Sequence, residues 1–495
     1  MNMPADLDAR TPVLVGVGVA TQRVDEAADA LEPLDLMLEA VRRAGADAGG
    51  AHTLAAVQRI AVPKGRWRYR NPARAIAQAI GAPGATTVLS TLGVLQQSLI
   101  NDACARIATG TLDAALVVGG DASYRMLRAK LQGQRAEERQ QTDAPDELQQ
   151  AENDLLHPVE VAAGIRLPAA LYAILSTAWR AEQGLLADQH RQSIARLYAG
   201  FSRVAQKNPS AWTQRAYDAE QIMQVSERNP MQAFPYAKLH CSALNVDQAA
   251  ALLLCSARRA TELGIARERF VYAWAGSESN HVVPVSAREA LAQCAGARLA
   301  GEAVLKGCGL KASQVDLVDL YSCFPIAVEV LAQALGLPLD PQRPPTLTGG
   351  MSFAGGPFNN YVLQATCRMV ERMRAGEGSI GLVSCVSGVL NKVGFGLWGK
   401  TPGPVPFRAV DVSGEVAART AVMPVIEGHT GPGRIVGYTV VHERGAAPRA
   451  LVLADTESGA RTLAWSDDTR SVERFAQEDF CGAAVNLQAS RFELA

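Results

Sequence analysis

The sequence predicts a large α/β body made of two similar halves, followed by a small β-rich domain. Short β-branched runs alternate with longer helical runs over about the first 400 residues, which is typical of parallel sheets with crossover helices. A helix and strand near residue 95 resemble a second pair near residue 362, which indicates an internal duplication. After residue 404 the pattern changes to short alternating strands separated by turns.

The first half begins with the strand-like run PVLVGVG and a helical run around LDLMLEAVRRAGADAG. Strand RIAVP, helices ARAIAQAIG and GVLQQSLINDACARIATG, and strand LDAALVVGG follow. The stretch 128–154 is rich in Gln, Glu and Arg without apolar spacing, and is predicted to be a solvated excursion. We therefore place the N-terminal half at residues 1–269, with a mobile loop region at about 121–245.

The second half is predicted over residues 270–403. It contains strand FVYAWAG, a helix over 286–309, strand VDLVDLY, helix IAVEVLAQALGL, a Gly/Pro-rich loop, helix YVLQATCRMVERMRAG and strand SIGLVSCVSG. Its last helix shares the letters V-L-Q with the corresponding helix of the first half. Residues 404–495 form the β-rich domain, predicted as an incomplete barrel joined through TPGPVP.

Composition excludes several classes of function. The formal net charge of −1 gives no global attraction to nucleic acid, so no nucleic-acid partner is expected. No apolar run reaches about 18 residues and the start lacks the features of a secretory signal, so we expect a cytoplasmic protein without a membrane span. The nine cysteines are scattered without a CxxC pair, so no metal site is expected.

Three loops end a strand or open a helix, where backbone N–H groups can stabilise an anion: STLGVLQQ (90–97), TGGMSFAGGPFNNY (348–361) and SCVSGVL (384–390). With YSCFP, GGPFNN and C-V-S-G in this order, the chain resembles the thiolase superfamily. Within that superfamily it is most similar to thiolase-like proteins related to sterol carrier protein thiolases, which carry an extra C-terminal β domain. The resemblance implies a five-layered αβαβα body and a barrel-like C-terminal domain.

The resemblance also implies which residues stand at the thiolase positions. Gly93 stands where the nucleophilic cysteine belongs, and Gly356 where the histidine of G-H-P belongs. Tyr321 replaces the first residue of the H-D-C-F motif, while the acid/base cysteine survives as Cys385. Because the acyl-accepting sulfur is missing, thiolysis by the family mechanism is expected to fail.

Four residues remain as catalytic candidates. The Tyr321 phenol could donate a hydrogen bond to a thioester oxygen or take a proton, and Cys385 could act as acid/base or nucleophile. Asn359 and Asn360 could bind a carbonyl oxygen. The alternatives are a tyrosine satisfied in its loop, a packed cysteine and asparagines that cap the next helix.

Five further residues are expected to contact substrate by the same resemblance. They are His240, Ser322, Cys323, Ser387 and Gly388. For His240 and Cys323 a purely structural role is the alternative, since single buried histidines and free cysteines usually belong to the core.

The resemblance implies a protein that handles CoA thioesters. The sequence favours an enzyme, either an acyl-CoA C–C lyase or an acyltransferase, and retro-aldol cleavage of a β-hydroxyacyl-CoA fits best because it needs only a base and an oxyanion site. The alternatives are a noncatalytic CoA or acyl-CoA carrier, and a conventional acyltransferase with a relocated cysteine. No permanently bound cofactor is expected, CoA enters as part of the substrate, and a homodimer through the body is one assembly that the fold implies.

Overall fold

The structure is a computed structural model that describes residues 8–151, 155–165, 168–443 and 445–494. Its strands are β1 (Pro12–Gln22), β2 (Arg59–Pro63), β3 (Thr86–Ser90), β4 (Ala114–Ala122), β5 (Glu147–Gln149), β6 (Met231–Ala233), β7 (Tyr236–Ala237), β8 (Asp247–Ser256), β9 (Val271–Ser279), β10 (Leu317–Asp319), β11 (Ile380–Ser387), β12 (Lys392–Gly399), β13 (Arg408–Asp411), β14 (Thr430–Val441), β15 (Arg449–Thr456), β16 (Arg461–Ser466), β17 (Ala484–Gln488) and β18 (Arg491–Leu494).

The α-helices separate these strands. They are α1 (Pro33–Asp47), α2 (Pro72–Ala79), α3 (Gln96–Ala108), α4 (Ser123–Leu131), α5 (Pro158–Ala162), α6 (Pro168–Glu182), α7 (Ala187–Gln206), α8 (Ala219–Met223), α9 (Ala257–Glu262), α10 (Ala295–Lys306), α11 (Pro325–Leu335), α12 (Gly350–Phe353), α13 (Tyr361–Arg374), α14 (Ser413–Arg419) and α15 (Thr469–Phe475). In the described ranges, no helix is both long enough and apolar enough to cross a membrane.

The body contains two mixed half-sheets. The strand order is β5-β3-β2-β4-β8-β1 in the first and β9-β12-β11-β10 in the second, and the halves meet where Val13 and Leu14 of β1 pair with β9. The helices α3 and α13 pack between the two half-sheets, with α1 on the outer face of the first and α10 on that of the second. The predicted duplicated, five-layered α/β fold is therefore confirmed.

The central position of α3 follows from its sequence. It buries Leu99, Ile100 and Ile107, and it buries the polar Gln96 and Gln97 as well. A helix that is buried on most of its circumference belongs in a layer with neighbours on both sides. Its polar residues must then find partners inside the protein, which makes its N-terminal end a polar site in an apolar body.

The region 121–245, predicted as a loop region, instead contains the helices α4 to α8. The polar stretch within it also contributes β5, which pairs in parallel with β3. Arg59 explains this pairing, because its guanidinium is 3% exposed and makes two hydrogen bonds, of 2.7 and 2.6 Å, to the Glu147 carboxylate. The charged residues that suggested a solvated excursion thus fix an edge strand.

The helix predicted over 286–309 begins only at Ala295. A short 3-10 helix covers Val285–Ala287, and the chain then runs irregularly to Cys294. The Cys294 thiol caps α10 by accepting a hydrogen bond from the Ala297 N–H at 3.4 Å. The sequence pattern therefore placed the start of this helix too far upstream, at residue 286 instead of Ala295.

The C-terminal domain is a closed barrel of five strands in the order β14-β15-β16-β18-β17, with β17 pairing back to β14. The expectation of an incomplete barrel is corrected by this closure. Its core contains Ile435, Tyr438, Phe475 and Phe492. The predicted boundary at 403/404 also moves, because β13 at residues 408–411 pairs with β9 and so belongs to the sheet of the body.

Candidate functional site

The N-terminal ends of α3 and α13 meet in the centre of the body. Gln96 joins them, because its Oε1 accepts a hydrogen bond from the Val362 N–H and its Nε2 donates to Asn359 Oδ1, each at 2.9 Å. Both helix ends carry backbone N–H groups that the helix itself does not use. The predicted loops around residues 90–97 and 348–361 are thereby brought together.

The loops that follow β10 and β11 join this point from the second half-sheet. These strands are parallel neighbours, and the Tyr321 N–H donates to Ser384 Oγ at 2.7 Å. Tyr321 and Cys385, two of the predicted catalytic candidates, are therefore neighbours. The Tyr321 ring packs edge-on against Tyr361, the first residue of α13, with ring centroids 5.7 Å apart.

Burial decides the protonation of both groups. It raises the pKa of Tyr321 well above the ordinary value of a phenol, with Cys323 and Cys385 adding to the effect. It also raises the pKa of Cys385 to about 12, although the backbone N–H groups of Gln97 and Gln96 oppose the shift. Neither group is a base near neutral pH, so the arrangement supports Tyr321 as a hydrogen-bond donor and Cys385 as a neutral thiol.

The two asparagines carry amide atoms without partners. Asn360 is 1% exposed, and neither its Nδ2 nor its Oδ1 has a hydrogen-bond partner among the described residues. Asn359 bonds to Gln96 through Oδ1, but its Nδ2 is buried without a partner in the same part of the chain. Asn360 occupies the N-cap position of α13 without making a side-chain cap, so the capping alternative is wrong for it.

Gly93 and Gly356, the two glycines predicted to stand at thiolase catalytic positions, are closely covered. Gly93 has a backbone φ of +100°, and a Cβ placed there would lie 2.7 Å from the Ala151 Cβ. A Cβ at Gly356 would lie 3.2 Å from the Ser242 Cβ and 3.3 Å from the Met351 methyl carbon. The space that a cysteine or a histidine would need is thus filled by neighbouring side chains.

The other expected substrate contacts lie around this centre. The Ser322 hydroxyl accepts from the Met351 N–H at 3.0 Å, and the Cys323 carbonyl accepts from the Ser242 hydroxyl at 3.0 Å. Burial raises the pKa of the Cys323 thiol to about 12. Both residues thus hold neighbouring loops in place.

Ser387 and Gly388 end β11. Ser387 is the last residue of the strand and is half-buried. The Gly388 carbonyl accepts from the Tyr172 hydroxyl at 2.8 Å, which attaches this loop to α6. Tyr172 in turn stacks on Phe324 with centroids 4.5 Å apart.

His240 lies in an aromatic cluster that reaches Phe324, the residue after Cys323, through Tyr236. Its ring packs against Tyr198 and Tyr236 at centroid distances of 5.6 and 6.2 Å. Burial, with Arg191 and His190 adding to it, lowers the pKa of His240 to about 3. The imidazole is neutral, and neither ring nitrogen has a hydrogen-bond partner among the described residues.

Sequence reasoning missed Gln96 and Glu278. Glu278 accepts hydrogen bonds from Ser98 Oγ at 2.8 Å and Asn101 Nδ2 at 3.1 Å, and its charge contributes to the raised pKa of Cys385. A signal for Gln96 was present, since V-L-Q recurs at the start of both central helices. No signal marked Glu278, because its position depends on how β9 packs against α3.

Four cavities in the described part of the chain lie away from the predicted site residues, since none of those residues lines any of them. Within the same ranges, no group of three or more His, Cys, Asp or Glu side chains is arranged to hold a metal ion. What the arrangement offers is a set of neutral hydrogen-bond donors at two helix N-termini, without a thiolate or an imidazole.

Comparison with known proteins agrees with this description. Residues 411–491 match the family model of the thiolase-like protein type 1 additional C-terminal domain. The whole chain superposes on a monomeric SCP2-thiolase like protein type 1 from Mycobacterium smegmatis, with a TM-score of 0.82 and 26% identity over 99% of this chain and 100% of that one. The chain resembles thiolase-like proteins of type 1 over its whole length. The predicted resemblance is confirmed.

More distant relatives are similar to the body of this thiolase-like chain. An acetyl-CoA acetyltransferase from Methanothermobacter thermautotrophicus is 23% identical over 250 residues, which span 48% of this chain and 62% of that enzyme. The Ltp2-ChsH2(DUF35) aldolase superposes with a TM-score of 0.57 and 16% identity, covering 79% of this chain and 98% of that one. An acetyl-CoA acetyltransferase from Syntrophomonas wolfei gives a TM-score of 0.54 and 18% identity over 79% and 99% of the two chains. These two superpositions show a common fold.

Proposed function

We propose that this protein binds a CoA thioester and holds the thioester carbonyl with neutral hydrogen-bond donors, without forming an acyl-enzyme. The main support for this proposal is the buried side-chain amide of Asn360, which has no hydrogen-bond partner among the described residues. A buried amide without a partner destabilises the folded protein, by about 1–3 kcal/mol, unless something supplies the missing hydrogen bonds. A carbonyl oxygen that accepts from the Asn360 amide at the N-terminus of α13 would supply one of them.

The absence of a nucleophile supports binding over thiolysis. Residues 90–95 read STLGVL and contain no sulfur, so the loop before α3 has no thiol that could accept an acyl group. The thiol of Cys385 is buried with its pKa raised, and a thiolate is the form that attacks a thioester. The chain therefore retains donors of the kind that bind a carbonyl, but not the group that would be acylated.

Retro-aldol cleavage of a β-hydroxyacyl-CoA is the second candidate, and Glu278 is the observation that favours it. This carboxylate lies near Cys385 and could take the proton of the β-hydroxyl group. The Cα–Cβ bond would then break to release a carbonyl compound, and the electron pair would remain on the thioester as an enolate. Tyr321 and the asparagine amides would stabilise that oxyanion until its α-carbon is protonated.

Calorimetric titration with acetyl-CoA and longer acyl-CoA thioesters tests the proposal. The wild type is expected to bind one thioester, and Asn360→Ala is expected to raise the Kd by about five- to tenfold, the effect of one lost hydrogen bond. The same variant is expected to unfold at a higher denaturant concentration, because it removes an unpaired amide. The exposed Asn486 on the barrel serves as the control, and Asn486→Ala should change neither quantity.

Two results would overturn the binding proposal: no acyl-CoA bound at millimolar concentration, or unchanged affinity in Asn360→Ala. Product analysis on the same samples separates the second candidate. A shortened thioester formed from a β-hydroxyacyl-CoA, and abolished by Glu278→Gln, would establish cleavage in place of simple binding.

A further inference from the structure

A cavity of about 420 Å³ lies at the junction between the body and the added C-terminal domain. Its wall is formed by residues of the segment 281–298, by α11, by the loop after β11, and by residues 416–421 of the region that matches the domain family. Its volume lies within the range of about 300–1,000 Å³ that is usual for small-molecule sites, and junctions of this kind are a common place for them. None of the predicted site residues belongs to it.

Arg288 in the wall of this cavity is a buried cation without an acidic partner. It is 8% exposed, its Nε donates to the Val283 carbonyl at 2.9 Å, and its Nη2 donates to the Val389 carbonyl and to Asn391 Oδ1. Among the described residues, its Nη1 makes no hydrogen bond and Arg288 forms no ion pair. Burial lowers the pKa of Arg288, as expected for a cation whose charge is not compensated by a direct carboxylate contact.

Two carboxylates lie near this charge without forming an ion pair with it in the described part of the chain. Glu160 is buried close by, but its two oxygens accept from the backbone N–H groups of Ser286 and His157. Glu289 lines the cavity and is exposed to solvent. A buried guanidinium with a free N–H group on a cavity wall is the arrangement that an anionic ligand completes.

Further polar groups converge on the same cavity. The Nε2 atom of His281 is buried and has no hydrogen-bond partner among the described residues. Arg298 and Arg419 line the cavity as well, and each is paired only with an exposed glutamate one turn away on its own helix. The lining thus contains three guanidinium groups, of which Arg288 forms no ion pair among the described residues, and this arrangement favours an anionic ligand.

The apolar part of the lining indicates that the ligand has an organic, partly apolar moiety as well as a charged group. Val283, Val330, Leu390 and Val416 contribute to the wall, beside the amides of residues 293, 333 and 391. We propose that this cavity binds an organic phosphate monoester. Its phosphate group would be held by Arg288, Arg298 and Arg419, and its organic moiety would pack on the apolar wall. This cavity shares no residue with the proposed thioester site, although both lie beside the loop after β11.

Calorimetric titration of the full chain with adenosine 5′-monophosphate tests the proposal, with inorganic phosphate and octanoate as comparison ligands. One nucleotide is expected to bind, and Arg298→Glu combined with Arg419→Glu is expected to raise its Kd at least about tenfold, the effect of losing a charge-assisted hydrogen bond. Ala334→Phe, which fills the cavity without changing charge, should have a similar effect. Arg196→Glu on the exposed face of α7 is the matched control and should leave the Kd unchanged.

The rates at which two cysteines are alkylated show whether the nucleotide binds in this cavity. Cys294 lines the cavity and is partly accessible, whereas Cys481 is partly accessible in the barrel and outside the cavity. Bound nucleotide is expected to slow alkylation of Cys294 at least about threefold by excluding reagent, and to leave Cys481 unaffected. Binding of inorganic phosphate with equal affinity would identify the free ion as the ligand of the same site. Binding of octanoate alone, binding that the variants do not weaken, or no binding of any of the three would overturn the proposal.

Discussion

At the scale of single residues, Gly93 and Asn360 show two contrasting features of the candidate site. Gly93 lies in the left-handed region of backbone conformation directly beneath Ala151, so its lack of a side chain is a requirement of packing. Asn360 shows the opposite situation, since its amide is present without anything to bond to. Gly93 therefore has no room for a side chain, whereas the buried Asn360 amide has unused hydrogen-bonding capacity.

The packing at Gly93 gives a prediction about stability. Gly93→Ala is expected to lower the free energy of unfolding by about 2–4 kcal/mol, because both the positive φ and the contact with Ala151 oppose a Cβ. Gly376→Ala is the matched control, since Gly376 has a φ of +79° with nothing within 4 Å of the added atom, and about 1 kcal/mol is expected. Urea unfolding measures both variants.

Equal losses in the two glycine variants would contradict the close packing of Ala151 over Gly93. The variant Gly93→Cys extends the test to chemistry. It is expected to be destabilised like Gly93→Ala and to gain no acyl group from a thioester, because Gly356 stands where the resemblance places the histidine that would favour the thiolate.

Single residues also show what sequence could predict about the site. The sequence named Tyr321 and Cys385 separately, and the structure places them side by side because the parallel strands β10 and β11 carry their following loops to one edge of the sheet. The missing partners of Asn360 and the raised pKa of Cys385 could not be predicted, since both depend on which atoms surround a side chain after packing.

At the scale of elements, β5 determines the edge of the first half-sheet. It covers the free hydrogen-bonding edge of β3 and is fixed by the ion pair between Arg59 and Glu147. The sequence of this stretch is polar and predicted a solvated excursion. In the structure, Glu147 of this stretch pairs with the buried Arg59, which is distant in the sequence. Local sequence patterns cannot predict such a long-range contact.

The covered edge predicts the assembly of the protein. We expect the wild type to sediment as a monomer of 52.5 kDa at micromolar concentration, because β5 covers the edge of β3 and, with three residues, offers only a short edge of its own. Glu147→Lys should detach β5 and promote self-association, whereas Asp143→Lys in the same segment should not. Analytical ultracentrifugation decides the question, and a stable wild-type dimer would show that another surface mediates assembly.

At the scale of the whole molecule, the duplicated body and the added β domain could both be predicted from sequence. The V-L-Q repeat at the start of the two central helices and the change to short alternating strands after residue 404 are both large-scale patterns. Such patterns can be recognised even when the exact boundaries of the elements are not known. The closure of the barrel and the cavity beside α10 could not be predicted, because they arise where distant segments meet. Both candidate ligand sites thus lie where the two halves or the two domains come together.

Native mass spectrometry of the protein with a 3-ketoacyl-CoA and free CoA tests the central claim most directly. The predicted spectrum shows one thioester bound and released on activation, an unchanged protein mass after denaturation, and no shortened thioester in solution. An acyl adduct that survives denaturation, or a shortened acyl-CoA, would contradict the claim that this thiolase-like site binds thioesters without an acyl-enzyme.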